Sequence, residues 1–206
     1  MLLIGMFDSP FVRRVAVSMK LLDITFDHAN WSVGRDFERI REYNPLGRVP
    51  TLVLDDGEAL MESSAILDYL DESVGPERAL LPRDGKDRRT ALRLMAIATG
   101  TADKTVTQIY ENAFRPPEKH HEPWLERCRK QVQSALVELD TQCAERMSSP
   151  WLLGERISQV DVTLACVFTF ITDALTPTVK AADYPALGAA TERCEKLSEF
   201  RSTRAD

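Results

Sequence analysis

Two periods of apolar and polar residues divide the first third of the chain into short elements. Residues 2–7, LLIGMF, form a continuous apolar run and read as a strand. Ser9 and Pro10 follow as a helix start, with Ser9 as N-cap and Pro10 as the first helical residue. Phe11, Val12, Val15, Ala16, Met19 and Leu22 then recur at the spacing of an amphipathic helix. Residues 24–29 alternate as a strand does. Residues 35–43 are charged, with Phe37 and Ile40 three apart, and read as a surface helix. Asn44-Pro45-Leu46-Gly47 marks a turn. Residues 49–54 and 58–61, joined by Asp55-Asp56-Gly57, read as a hairpin. A helix over 62–73 carries Ile66, Leu67 and Leu70 on one face. The order β-α-β-α-β-β-α predicts an α/β unit. Its strand–helix–strand start implies a parallel pair and its hairpin adds antiparallel strands, so the four-stranded sheet is mixed.

Beyond a linker at 76–86 only helical patterns occur, so the chain divides into an α/β domain at 1–75 and an all-helical domain at 87–206. A long helix over 87–114 is expected to break or kink near Gly100, and Arg115-Pro116-Pro117 stops it. A second spans 122–147, with Trp124, Cys128, Val132, Ala135, Leu136 and Leu139 on one face. Ser158 and Asp161 stand as a capping box, with Ile157 and Val162 at the spacing of a hydrophobic staple. The helix they open is apolar nearly all round and is expected at the domain centre. Asp183-Tyr184-Pro185 starts a last helix.

Charge and composition narrow the function. The 206 residues carry 26 Lys+Arg against 32 Asp+Glu, a net charge of -6. A nucleic-acid binder would need a basic face to neutralise phosphates. No stretch approaches the ~20 apolar residues of a membrane span. The start has neither a basic segment nor a signal-peptide pattern. Cys128, Cys143, Cys166 and Cys194 form no CxxC pair and show no metal spacing, which reads as buried thiols in a cytoplasmic protein. His28, His120 and His121 form no ligand pattern, and no metal is expected. There is no Gly-rich phosphate loop and no GxSxG serine elbow.

The polar groups left over stand at element ends in residues 1–74. Ser9 begins the first helix just after the first strand. Val49-Pro50 precedes the third strand, where a cis bond would turn main-chain groups toward a ligand. Glu62-Ser63 opens the third helix, whose N-terminus favours an anion. In chain order they offer a hydroxyl or thiol partner, a peptide-pairing edge and a carboxylate cradle.

The segments DSPFVRRV, NPLGRVPTLVLDDGEALMESSAILDYLDE and GERISQVDVTLA together resemble the cytosolic glutathione S-transferases, most of all the bacterial members and the plant-type serine classes. The likeness covers essentially the whole chain. It implies a thioredoxin-like N-terminal domain, an all-helical C-terminal domain and glutathione as co-substrate with no further cofactor. By that likeness Ser9 hydrogen-bonds the glutathione sulfur. Val49, before a cis-Pro50, pairs with the cysteinyl part. Glu62 and Ser63 hold the γ-glutamyl end, and Arg48 stands near the glycyl carboxylate. Gly154, Ser158 and Asp161 match a structural capping motif of the second domain. Asp8-Ser9-Pro10 departs from the Ser-Ser-Cys of the maleylacetoacetate isomerase-like members, and Ser9 with Val12 leaves no dithiol.

The implied activity is conjugation of the glutathione thiolate to a small hydrophobic electrophile, in a homodimer of detoxifying type. Phe7, Phe11, Tyr110 and Phe114 are candidates for the electrophile pocket. Two alternatives stay open: a glutathione-dependent disulfide reductase or peroxidase, and a non-catalytic binding protein of the same fold.

Overall fold

A computed structural model of the chain describes all residues except Pro177 and Asp206. Four strands, β1 (Leu2–Ile4), β2 (Asp27–Ala29), β3 (Thr51–Val53) and β4 (Ala59–Met61), form one sheet in the order β2-β1-β3-β4. β1 pairs with β2 in parallel, Leu3 opposite His28, and with β3 antiparallel, Leu3 opposite Leu52. β3 and β4 close the hairpin. The helices α1 (Pro10–Leu21), α2 (Phe37–Arg41) and α3 (Ser63–Val74) stand in the expected order. The sheet is therefore mixed, in a thioredoxin-like unit.

Its core is the meeting of the predicted faces. Leu3 and Leu52 from the sheet pack with Val12, Val15, Ala16 and Met19 of α1 and Ile66, Leu67 and Leu70 of α3. Each of these side chains larger than Ala16, taken from water, stabilises the unit by about 1.5–3 kcal/mol. β1 is shorter than the apolar run 2–7 because Gly5 leaves the extended region, at φ +130°. A Cβ on Gly5 would meet Val12 Cγ2 at 2.5 Å and Val49 Cβ at 2.8 Å. Only glycine lets the chain after β1 run so close to α1 and to the loop before β3.

Helices α4 (Gly85–Phe114), α5 (Glu122–Ala144), α6 (Gln159–Ala174), α7 (Pro185–Glu195) and α8 (Ser198–Arg201) follow. The break expected at Gly100 is absent, and α4 is continuous through it. A mid-helix glycine keeps its N–H and costs only about 1 kcal/mol against alanine. α5 buries Leu125, Cys128, Val132, Leu136, Leu139 and Cys143, while Trp124, placed on that face by the sequence reading, is exposed. α6 is buried from Gln159 through Phe168, as its all-round apolar pattern predicts. All four cysteines are buried, and desolvation pushes the Cys143 thiol up to about 12. Among the described residues no helix is long and apolar enough to cross a membrane.

The chain forms two compact units, one of Met1–Gly85 with Glu195–Asp206, the other of Lys86–Cys194. Of the residues read as a linker, 76–86, all but Lys86 join the first unit, where Asp71 of α3 accepts the Leu80 and Leu81 N–H groups at 2.8 and 3.0 Å. The chain end, read as part of the helical domain, also packs with the first unit. Arg13 of α1 makes two 2.8 Å bonds to the Glu195 carboxylate and donates to the Phe200 and Thr203 carbonyls, both at 3.1 Å. No local pattern announces a partner so distant in the chain.

Candidate functional site

α1 begins as its sequence requires. Ser9 is extended, at φ -72° and ψ 121°, Pro10 takes the first turn, and the Val12 N–H donates to Ser9 Oγ at a long 3.4 Å. Among the described residues nothing accepts the Ser9 hydroxyl proton. A free O–H donor thus stands at the positive end of a 12-residue helix.

The Val49-Pro50 peptide bond is cis. The loop before it is shaped by Asn44, which is buried. Its Nδ2 donates to the Arg48 carbonyl at 2.9 Å and to Thr51 Oγ1 at 3.1 Å, and its Oδ1 accepts the Leu46 N–H at 3.0 Å. The sequence reading treated Asn44 as a turn residue only. Gly47 is left-handed, φ +61°, and a Cβ there would strike the Phe37 ring at 2.2 Å. Among the described residues no hydrogen bond engages the Val49 main chain, so its N–H and C=O are open to a peptide-like partner. Arg48 is exposed.

Glu62 caps α3 from a left-handed backbone, φ 73°. A non-glycine residue held there marks local strain of about 1–3 kcal/mol. Its Oε1 accepts from the Ser64 N–H at 3.3 Å and from Ser63 Oγ at 3.1 Å. The carboxylate is exposed and Ser63 is buried. Behind them lies Arg14 of α1, fully buried, whose Nη2 donates to Ser63 Oγ and Ser64 Oγ, both at 2.9 Å. A buried guanidinium must be hydrogen-bonded, and these hydroxyls are among the groups that hold it. Arg14 then holds the Ser63 hydroxyl in one orientation. The sequence reading missed Arg14. The signal available was two arginines, Arg13 and Arg14, inside an otherwise apolar helix face.

The aromatic candidates have mixed surroundings. Phe7 is stacked flat on His28, ring centres 3.9 Å apart. Phe11 is half-buried. In the other unit Tyr110 and Phe114 meet edge to face at 5.1 Å, with 43% and 67% of their surfaces exposed. In that unit Asp161 accepts from the Leu152 N–H (2.9 Å), the Ser158 N–H (2.9 Å) and the Ser158 hydroxyl (2.6 Å). Both halves of the expected capping box are formed.

Residues 3–78 match the family model of the glutathione S-transferase N-terminal domain, and residues 122–193 that of the C-terminal domain. The chain is 28% identical over 171 residues to the uncharacterized GST-like protein YibF of Escherichia coli, covering 83% of this chain and 82% of that one. A glutathione transferase family member from Pseudomonas fluorescens, solved with bound glutathione, is 32% identical and superposes with a TM-score of 0.84 over 100% of this chain and 98% of its own. A glutathione S-transferase from Methylobacterium radiotolerans, solved with glutathione sulfonate, reaches a TM-score of 0.90 at 26% identity, over 98% of this chain and 93% of its own.

Proposed function

Since this chain belongs to the glutathione S-transferase family, we propose that it joins the glutathione thiolate to small hydrophobic electrophiles. The observation that carries this reading is the Ser9 hydroxyl, free to donate at the N-terminus of α1. A free thiol has a pKa of ~8.5 and is mostly protonated at neutral pH. Beside a hydroxyl donor and a helix N-terminus the thiolate is stabilised and its pKa falls. Ser9 donates to the sulfur and need not itself attack.

The other candidates take up the rest of the tripeptide. The open Val49 main chain pairs with the cysteinyl unit. Ser63, oriented by Arg14, and the exposed Glu62 carboxylate hold the γ-glutamyl carboxylate and ammonium. Arg48 serves the glycyl carboxylate. For the electrophile we assign Phe7 and Phe11, which flank Ser9 in the chain, and Tyr110 and Phe114 on α4. The thiolate forms the new bond to the electrophilic carbon, and the leaving group departs with the displaced electron pair. The reading extends to a homodimer through α3 and α4 and to a detoxifying role in the cytoplasm.

Ser9→Ala tests it. Losing one donor to a charged acceptor costs about 1.5–3 kcal/mol, so conjugation of a chlorodinitrobenzene should fall about 10–100-fold. The apparent pKa of bound glutathione, read from the pH–rate profile, should rise. An unchanged rate and an unchanged profile would refute the assignment of Ser9. A wild-type enzyme that reduces disulfides with two glutathiones but leaves the chlorodinitrobenzene untouched would make it a reductase.

A further inference from the structure

A groove of about 310 Å³ lies against β2, the edge strand of the sheet. That volume is at the lower end of the ~300–1,000 Å³ of small-molecule sites. Phe7, Ile24 and Phe26 give it an apolar lining whose far side packs on the core. Phe26 and His28 are two residues apart along one strand direction and so share a face, while Asp27 between them points the other way. His28 Nε2 lies 2.7 Å from the Gly5 carbonyl oxygen. A carbonyl only accepts, so Nε2 carries the proton and donates. That bond and the stack on Phe7, tilted by only 1°, hold the imidazole as a flat, fixed wall.

Lys20, in the last turn of α1, brings a charge to this surface, its Nζ 5.9 Å from the centre of the Phe26 ring. Among the described residues no carboxylate lines the groove, and none pairs with Lys20. The nearest acid in sequence, Asp23, faces Arg78 at 3.6 Å. Ser202 donates its hydroxyl proton to Glu199 O, while the exposed Thr25 is free to donate. An ammonium with no counter-charge among the described residues, beside a flat aromatic wall, in a chain of net charge -6, is matched by a flat anion.

We propose that this groove binds a small planar aromatic carboxylate, its ring against Phe7 and Phe26 and its carboxylate on Lys20. The site is separate from the one assigned to glutathione and shares only Phe7 with the residues assigned to the electrophile. None of Ser9, Arg48, Val49, Pro50, Glu62 and Ser63 lines it, and Ser9 and Lys20 stand at opposite ends of α1, roughly 16 Å apart at 1.5 Å per residue.

The probe is 2-naphthoate, titrated into the full chain by calorimetry with amide NMR shifts followed in parallel. Saturable binding is expected, with shifts centred on Lys20 and residues 25–28. The uncharged 2-naphthamide should bind about fivefold more weakly, the worth of one partly exposed ion pair. Lys20→Met keeps an apolar stem of similar length. It should weaken naphthoate by that same factor and leave naphthamide unchanged, which also shows that the variant is folded. Glutathione should neither displace naphthoate nor bind differently to the variant. No saturable binding, displacement by glutathione, or equal naphthoate affinity in Lys20→Met would each overturn the proposal.

Discussion

Two helix N-termini in this protein are capped by an acid and a serine, and the two acids differ in what they have left to bind. At α6 the Asp161 carboxylate is 4% exposed and accepts from three donors of its own unit. Burial nevertheless holds its carboxyl above the usual carboxylate range, the hydrogen bonds from Ser158 and Leu152 only partly offsetting it. At α3 the Glu62 carboxylate is exposed, accepts from its near neighbours Ser63 and Ser64, and sits on a left-handed backbone. Beside it the Ser63 hydroxyl is held by a buried arginine. The same pair of residue types closes a helix end in one place and leaves acceptor capacity facing outward in the other. A satisfied, buried cap has nothing to offer a ligand. An open one, with a fixed hydroxyl beside it, has the form of a cradle for an amino acid end.

The largest expected effect strikes the closed cap. Asp161→Ala leaves the Leu152 and Ser158 N–H groups buried without their acceptor. At ~1–3 kcal/mol for each such group, unfolding free energy measured in urea should fall by about 3 kcal/mol. The glutathione KM of the folded variant should stay where it was. A raised KM with unaltered stability would reverse the comparison.

The open cap should respond in binding instead. Ser63→Ala should raise the glutathione KM about tenfold, ~1.4 kcal/mol, with little change in kcat, because the group is proposed to hold a part of the substrate that does not react. Arg14→Leu should move KM in the same direction. The double variant should be no worse than the poorer single one, since both act through one hydroxyl. Strict additivity in that cycle would mean that Arg14 does not work through Ser63. A collapse of kcat at constant KM would move Ser63 into the chemistry.

The smallest effect is a slope. Asp161 binds its proton more tightly folded than unfolded, so its contribution to stability is fully present below the unfolded pKa of about 3.9. It is lost as pH rises through the raised folded value. Asp161→Asn has no such titration. As pH rises from about 3.9 through the raised folded value, the wild-type protein should lose stability relative to the variant. A gap that widens in the wild type's favour would show that the three hydrogen bonds outweigh burial.

What could be read ahead of the structure were features whose partners are close in the chain. Ser9 and Pro10 open α1, Asp-Gly turns the hairpin, and Ser158 with Asp161 boxes the start of α6, because each rests on contacts a few residues apart. Where a local preference was weak, reading it as decisive failed. Gly100 costs α4 little, and neighbouring turns carry the helix through it. Trp124 fits the apolar period of α5 but lies outside its buried face.

By itself, then, the order of residues determined the element sequence, the mixed sheet, the faces that form the core and the polar groups at the element ends, since periodicity and capping act within a few turns of chain. Only the tertiary structure decided what those groups meet. It set Arg14 of α1 under Ser63, 49 residues on, and Arg13 against Glu195, 182 residues on. It also laid His28 flat on Phe7 and set Lys20 beside the Phe26 ring. Such pairs form because a charge or ring removed from water must find a partner wherever the packed chain supplies one, and no spacing along the sequence encodes that meeting.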